Sequence, residues 1–177
     1  MKQFPILKTE RLKLKQLSLK DSKLITEYLQ DREMSEHTTT IPFPYTEKDA
    51  IWWINNSFEK FKNDKGFVFG IFLNETNILI GTIDLNINNE TKIGNFGYWT
   101  AKAFWDKGYM TEALKVVLNF GFSTLNLKEI TAVHSVANPA SGKVMLKAGM
   151  TKTENVLKLK MSDGSIRSSV HYQIYKF

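Results

Sequence analysis

The stretch richest in chemistry runs from Gly97 to Ala113, GYWTAKAFWDKGYMTEA. The run ending near Thr100 predicts a strand, the residues from Lys102 through Lys107 and Gly108 a loop, and Met110 onward a helix. A strand, a tight loop and an exposed helix N-terminus together make an anion site. The first helical N–H groups have no acceptor, and the helix dipole adds positive potential. Gly108 lets the backbone approach an anion or adopt positive φ, and Thr111 adds a hydroxyl donor. On the residues alone, an ordinary loop closed by a helix-capping glycine reads equally well. Neither G-x-x-x-x-G-K-[ST] nor G-x-G-x-x-G occurs, which argues against a P-loop and a dinucleotide-binding turn. The anion expected is a pyrophosphate held in another way.

Composition narrows the chemistry further. The 177 residues include no cysteine, which excludes cysteine nucleophiles, disulfide frameworks and Cys-based zinc sites, and no metal is expected. Lys and Arg total 24 against 18 Asp and Glu, a formal charge of +6 that favours an anionic partner. No aromatic-interleaved basic motif accompanies that charge, so nucleic acid is not the expected partner. No run approaches the roughly 18 apolar residues of a membrane span. Residues 1–10 also lack the apolar core of a leader, so a cytoplasmic protein is expected. With no repeat and no Pro/Gly-rich linker, residues 1–177 read as one domain.

The elements that must position the Gly97–Ala113 segment follow from periodicity. Arg11 to Leu17 alternates as a half-buried strand, and Ser18 is placed to cap a helix over Leu19 to Gln30. Residues 31–46 read as a loop with a short helix. Thr46 and Asp49 open a second helix, with Ala50, Trp53, Ile54, Ser57, Phe58 and Phe61 as its apolar stripe. Three strands follow, Phe67 to Leu73, Ile78 to Ile87 and Gly94 to Thr100, separated by turn chemistry. A long helix spans Met110 to Leu125, a strand Ile130 to Val136, and a short helix Pro139 to Lys147, with Gly149 at its end. Val156 to Met161 and Ile166 to Phe177 flank a hairpin signal at Asp163-Gly164. The order β-α-α-β-β-β-α-β-α-β-β predicts an α/β (mixed, α+β-like) fold. Its central sheet would be mostly antiparallel, of about seven strands, with helices on both faces. The last strand is free to pair between subunits, so a monomer and a homodimer both fit.

Several segments together resemble a known family. Thr9-Glu10-Arg11-Leu12-Lys13-Leu14, Ile41-Pro42-Phe43-Pro44-Tyr45, Asp49-Ala50 and Trp53-Ile54 occur in order. Gly97-Tyr98-Trp99, Trp105 to Ala113, Asn138-Pro139-Ala140-Ser141 and Gly149-Met150 follow. This series resembles the GNAT superfamily of acetyl-CoA-dependent N-acetyltransferases, in the RimJ/RimL-like branch of ribosomal-protein N-acetyltransferases. The resemblance implies a GNAT-type sheet and acetyl-CoA as cosubstrate. Trp105, Asp106, Lys107, Gly108, Tyr109, Met110 and Thr111 would cradle the pyrophosphate. Tyr98, Trp99 and Thr100 would end a strand splayed from Ile130 to Val136, with pantetheine in the gap and an N–H near Trp99 or Thr100 polarising the thioester. Asn138 would orient the pantetheine arm, Lys143 would meet a phosphate, and Ser141 would stand close to the sulfur. Lys102 and Lys107 are further phosphate candidates. Glu33, Glu36, His37, Phe43 and Tyr45 fall in the loop that forms the acceptor side in relatives.

Two positions depart from the family's pattern. Where many members carry a proton-donating Tyr, seven residues after the Asn, this sequence has Met145. Ser141 is then the best remaining donor. Where many carry a Glu, thirteen residues before the Gly, it has Asn95, which cannot act as a base. His134, alone on its strand, reads as a structural residue. A lysine side chain is about 0.1% neutral at pH 7.5, whereas an α-amino group is roughly a quarter to two-fifths neutral. A site short of a base therefore favours a protein or peptide N-terminus. Acetylation of a small amine, such as an antibiotic or polyamine, is the alternative on the same fold. A catalytically weak acyl-CoA-binding module is another, supported by Asn95 and Met145.

Overall fold

Alternation along Leu12–Gln16 sets the sheet's first face: Leu12 and Leu14 are fully buried, while Lys13 and Lys15 are half-buried. The computed structural model describes every residue except Met1, His37, Thr39, Ser162, Asp163 and Phe177. Its strands are β1 (Leu7–Lys8), β2 (Leu12–Gln16), β3 (Gly66–Leu73), β4 (Leu79–Asn88), β5 (Ile93–Thr100), β6 (Glu129–Ser135), β7 (Thr151–Lys160) and β8 (Ile166–Tyr175). Its helices are α1 (Ser22–Leu29), α2 (Arg32–Glu36), α3 (Glu47–Lys62), α4 (Tyr109–Ser123) and α5 (Pro139–Lys147). The sheet runs β1-β2-β3-β4-β5-β6-β8-β7. Every neighbouring pair is antiparallel except β5 and β6.

Two apolar layers sandwich the sheet. On one face Leu12, Leu14, Phe69, Ile83, Leu85 and Phe96 pack against Ala113, Leu114 and Val117 of α4. On the other, Val68, Phe72 and Trp99 pack against Ile25 and Leu29 of α1 and Ala50 and Ile54 of α3. Each such side chain contributes about 1.5–3 kcal/mol on burial, so the strands are pinned from both sides. The capping box predicted for α3 forms: Thr46 N–H donates to Asp49 Oδ2 at 2.8 Å, and Asp49 N–H to Thr46 Oγ1 at 3.3 Å. The helix predicted from Leu19 begins instead as a 3-10 turn over Leu19–Asp21, with α1 proper starting at Ser22.

The described residues form eight strands where about seven are expected. The extra one, β1, pairs only Leu7 with Leu14 and Lys8 with Lys13, too short a run to carry a period. β7 begins at Thr151 rather than near Val156, because its polar first half still pairs with β8 across a register shift between Lys152 and Val156. The Asp163-Gly164 turn signal includes Asp163, outside the described residues.

One pairing decides where a ligand can enter. β5 and β6 run parallel for three residue pairs only, Ile93–Asn95 against Glu129–Thr131. Beyond them β5 continues to Thr100 paired with β4, and β6 to Ser135 paired with β8. The two strands therefore part from Phe96 and Ala132 onward.

Candidate active site

The wall of the cleft on the β5 side can be read from its hydrogen bonds. Ala101 N–H donates to Ile80 C=O at 2.9 Å and Gly97 N–H to Asp84 Oδ1 at 2.5 Å, so these amides face β4. By the two-residue strand repeat, Tyr98 and Thr100 turn their N–H groups toward the β6 side, where the ladder has ended. Of the two residues expected to offer an amide, Thr100 points into the gap and Trp99 does not. The Trp99 side chain lies in the α1–α3 core, near the Tyr28 ring. Trp105 Nε1–H donates to Thr100 C=O at 2.6 Å and fixes the strand's end.

The loop beyond turns sharply. Asp106 takes φ 59° and Gly108 φ 76°, both left-handed, and Gly108 is the N-cap of α4. A Cβ on Gly108 would find space, with Arg11 Nη2 3.6 Å away as its nearest neighbour, so the requirement there is conformational. Glu112 N–H is taken up by Gly108 C=O at 3.1 Å. The amides of Tyr109, Met110 and Thr111 precede it and have no acceptor within the helix.

A clasp from the N-terminal segment holds this turn. Arg11 donates through Nε to Glu112 Oε2 at 2.7 Å, through its amide to Glu112 Oε1 at 3.0 Å and through Nη1 to Lys107 C=O at 3.0 Å. Thr9 Oγ1 donates to Glu112 Oε1 at 2.6 Å, and the Arg11 guanidinium lies 4.6 Å above the Tyr109 ring. Partial burial pushes the Glu112 carboxyl up. The bonds from Thr9 and Arg11, with the guanidinium charge, outweigh this and hold it below the usual glutamate range. A depression of about 410 Å³ opens beside the turn, lined by Thr9, Gly108, Thr111, Glu112, Lys115 and Lys147. Its lysines are thus Lys115 and Lys147, whereas Lys143 is exposed one turn earlier on α5. Lys102 turns away from it, bonded to Glu33 and, at 3.4 Å, to Asp31; those bonds raise its pKa. Lys107 lies over the Phe104 ring.

The opposite wall begins with Asn138, whose Oδ1 accepts from Ser141 N–H at 3.3 Å and caps α5. That cap uses the carbonyl end and leaves the side-chain NH₂ to donate elsewhere. Ser141 Oγ is 2.8 Å from Tyr98 Oη, and the Tyr98 hydroxyl donates to Ser141 C=O at 2.9 Å. This pair bridges β5 and α5 across the cleft. Burial is the main reason the Tyr98 hydroxyl is pushed far above the ordinary tyrosine value, so it stays protonated. Met145, by contrast, is buried in the core. Sequence reasoning assigned Tyr98 to the cleft wall but did not foresee the bond between its hydroxyl and Ser141.

His134 donates through Nδ1 to Ser135 C=O at 2.8 Å, while its buried Nε2 has no hydrogen-bond partner among the described residues. A Cβ on Gly142 would sit 2.6 Å from that nitrogen and 2.8 Å from the Tyr172 hydroxyl, so glycine there lets α5 approach β6 and β8. Asn95 donates to Thr131 Oγ1 at 3.2 Å and ties β5 to β6 at the base of the cleft.

The profile of the Acetyltransferase (GNAT) domain matches residues 11–151. The chain belongs to the GNAT acetyltransferase family. Among curated relatives, the uncharacterized N-acetyltransferase YoaA of Bacillus subtilis is 31% identical over 175 residues, 98% of each chain. The ribosomal-protein-S5-alanine acetyltransferase of Vibrio fischeri superposes with a TM-score of 0.83 over 97% of each chain, at 20% identity. The microcin C7 self-immunity acetyltransferase MccE, solved with acetyl-CoA and AMP, superposes at 0.84 over 94% of this chain and 93% of that one, at 21% identity.

Acetyl-CoA is therefore the cosubstrate of this acetyltransferase. The residues present fit it: a positive-φ glycine turn, helix amides without internal acceptors, and two lysines beside them. Among the described residues no cluster of His, Asp and Glu could hold a metal ion, and no helix is long and apolar enough to cross a membrane.

The residues expected on the acceptor side are engaged as follows. Glu33 is bound to Lys102, and Glu36 pairs with Arg32 at 3.2 Å. Phe43 is exposed and lies under the Arg32 guanidinium. Tyr45 is 5% exposed and packs in the α1–α3 core. Burial, with Asp49 nearby, raises its pKa to about 12. His37 lies outside the described residues.

Proposed function

We propose that this acetyltransferase acts on the α-amine of a protein or peptide N-terminus, by direct transfer within one acetyltransferase domain over residues 1–177. The backbone from Trp105 to Thr111 holds the pyrophosphate, with Lys115 and Lys147 toward the phosphate charge and Lys143 at their margin. Pantetheine runs between β5 and β6, against Tyr98, Trp99 and Thr100. The Thr100 amide polarises the thioester carbonyl, and the Asn138 side-chain NH₂ binds the arm. The acceptor nitrogen bonds to the carbonyl carbon and the C–S bond breaks. The Tyr98 hydroxyl, bonded to Ser141, gives the sulfur its proton.

Asn95 is the observation that carries the acceptor class. At the base of the cleft an amide holds Thr131 where a carboxylate would take a proton. An α-ammonium near pKa 7.7–8.0 needs far less help to become neutral than a lysine near 10.4. The serine or alanine at which ribosomal-protein acetyltransferases of this fold are named to act makes seryl and alanyl peptides the natural first probes. A thiol-release assay at fixed acetyl-CoA should show faster turnover of these than of an N-acetylated lysine peptide or spermine. Faster turnover of the lysine peptide would overturn the reading.

A further inference from the structure

Tyr98 and α5 line one face of the cleft, and the opposite face of β5 carries Asn95, Gly97 and Trp99. On that face one carboxylate stands beside the end of the β5–β6 ladder. Asp84 of β4 is in register with Gly97 of β5, so it shares a face with Asn95 and Trp99. Gly97 has no side chain to cover it: a Cβ there would lie 3.1 Å from Asp84 Oδ1. Gly97 N–H donates to that oxygen at 2.5 Å. The Asp84 side chain keeps 26% of its exposure.

We propose that Asp84 is the catalytic carboxylate that receives the acceptor ammonium's proton, in the place where Asn95 cannot. This rests on the acceptor reading above. The first N–H proton passes to Asp84 Oδ and on to solvent. The freed lone pair bonds to the thioester carbon and the C–S bond breaks. A second N–H proton leaves to solvent while Tyr98, re-protonated through Ser141, gives one to sulfur. The net products are the acetamide, the thiol and one released proton.

The surroundings suit that task. Lys60 of α3 stands 3.7 Å from Asp84 Oδ2, drawn aside by its 2.7 Å bond to Asn86 Oδ1. Asn86 Nδ2 donates to Oδ2 at 3.2 Å, and Val68 is its register partner on β3. Among the described residues, Lys60 is the titratable group that faces Asp84. Desolvation is the larger influence on the carboxyl and raises its pKa, although Lys60, Gly97 and Asn86 all pull it down. Desolvation therefore makes it a better base than a surface aspartate.

The test uses the full chain with acetyl-CoA and a seryl hexapeptide amide. Asp84→Asn should lower kcat/KM for the peptide by about 10²-fold or more. It should also move the acid limb of the pH–rate profile up to the α-amine's own pKa, near 7.7–8.0, while coenzyme A affinity is unchanged, and Asp84→Glu should restore part of the rate. An Asp84→Asn enzyme within threefold of wild type, with its acid limb unmoved, overturns the proposal. The Gly97 amide gives an independent readout in the unsubstituted protein. In the coenzyme A complex, its proton shift should titrate with Asp84, at a midpoint lowered by the free peptide but not by its N-acetylated form. No difference between the two peptides also overturns the proposal. If the enzyme binds coenzyme A but acetylates no peptide, the acceptor reading alone fails; ethylamine as probe in the Gly97 titration then decides on Asp84.

Discussion

Replacing Tyr98 by Phe removes one oxygen from the bridge across the cleft and leaves the ring in place beside Phe96. The structural cost is the loss of two hydrogen bonds, to Ser141 C=O and with Ser141 Oγ, about 1–3 kcal/mol together, so the fold and coenzyme A binding should survive. The chemical cost is larger. A positioned acid is worth about 10² to 10⁴ in rate, or roughly 3–5 kcal/mol of barrier. Ser141 Oγ remains nearby and can pass a proton from solvent, which places the expected loss of kcat near 10² rather than 10⁴. KM for acetyl-CoA should change less than threefold. The decisive assay compares acetyl-CoA with an acetyl thioester whose thiol is more acidic: a departing thiolate that needs no proton should erase most of the deficit. The reasoning is refuted if Tyr98→Phe slows turnover less than fivefold, or if the deficit is equal for both leaving groups.

Glu112→Gln should weaken the clasp from Thr9 and Arg11, lowering stability by about 1–3 kcal/mol in urea melts and raising KM for acetyl-CoA. Because the Glu112 carboxyl is held below its ordinary value, its contribution is present above about pH 4.5 and lost as pH falls below it; the variant should lack that part of the acid sensitivity. Lys115→Ala with Lys147→Ala should raise Kd for coenzyme A in calorimetry and flatten its salt dependence, with kcat at saturation nearly unchanged. Tyr45, raised to about 12, keeps its proton in the fold where an unfolded tyrosine loses it near 10. Stability should therefore fall between about pH 10 and 12, by roughly 3 kcal/mol, and Tyr45→Phe should lose less over that range in alkaline melts.

What the sequence made legible was whatever repeats locally. Thr46 and Asp49 announce α3, the meander from Phe67 to Thr100 shows its turns, and the glycine turn before α4 reads as an anion site. What it concealed depends on partners far along the chain. Thr9 and Arg11 read as part of a motif, but their purpose is to hold Glu112, about a hundred residues later. Tyr98 and Ser141 lie 43 residues apart and meet only because β6 leaves β5 and α5 closes over the gap. Asp84 gave no signal, sitting in an apolar strand whose register against Gly97 no local pattern reveals. Tyr45 shows the opposite failure: a loop aromatic assigned to the acceptor side is spent on packing.

The short ladder between β5 and β6 also makes the protein's middle a seam. Apart from the two-residue β1, the other strands pair over most of their length, whereas between β5 and β6 the ladder has three rungs, backed by the Asn95–Thr131 bond. A substrate arm lying in that seam acts as a splint, adding the rungs that the polypeptide omits. Saturation with coenzyme A should thus stiffen the molecule at its weakest join, slowing deuterium uptake at the Tyr98 and Thr100 amides far more than in β3 or β4.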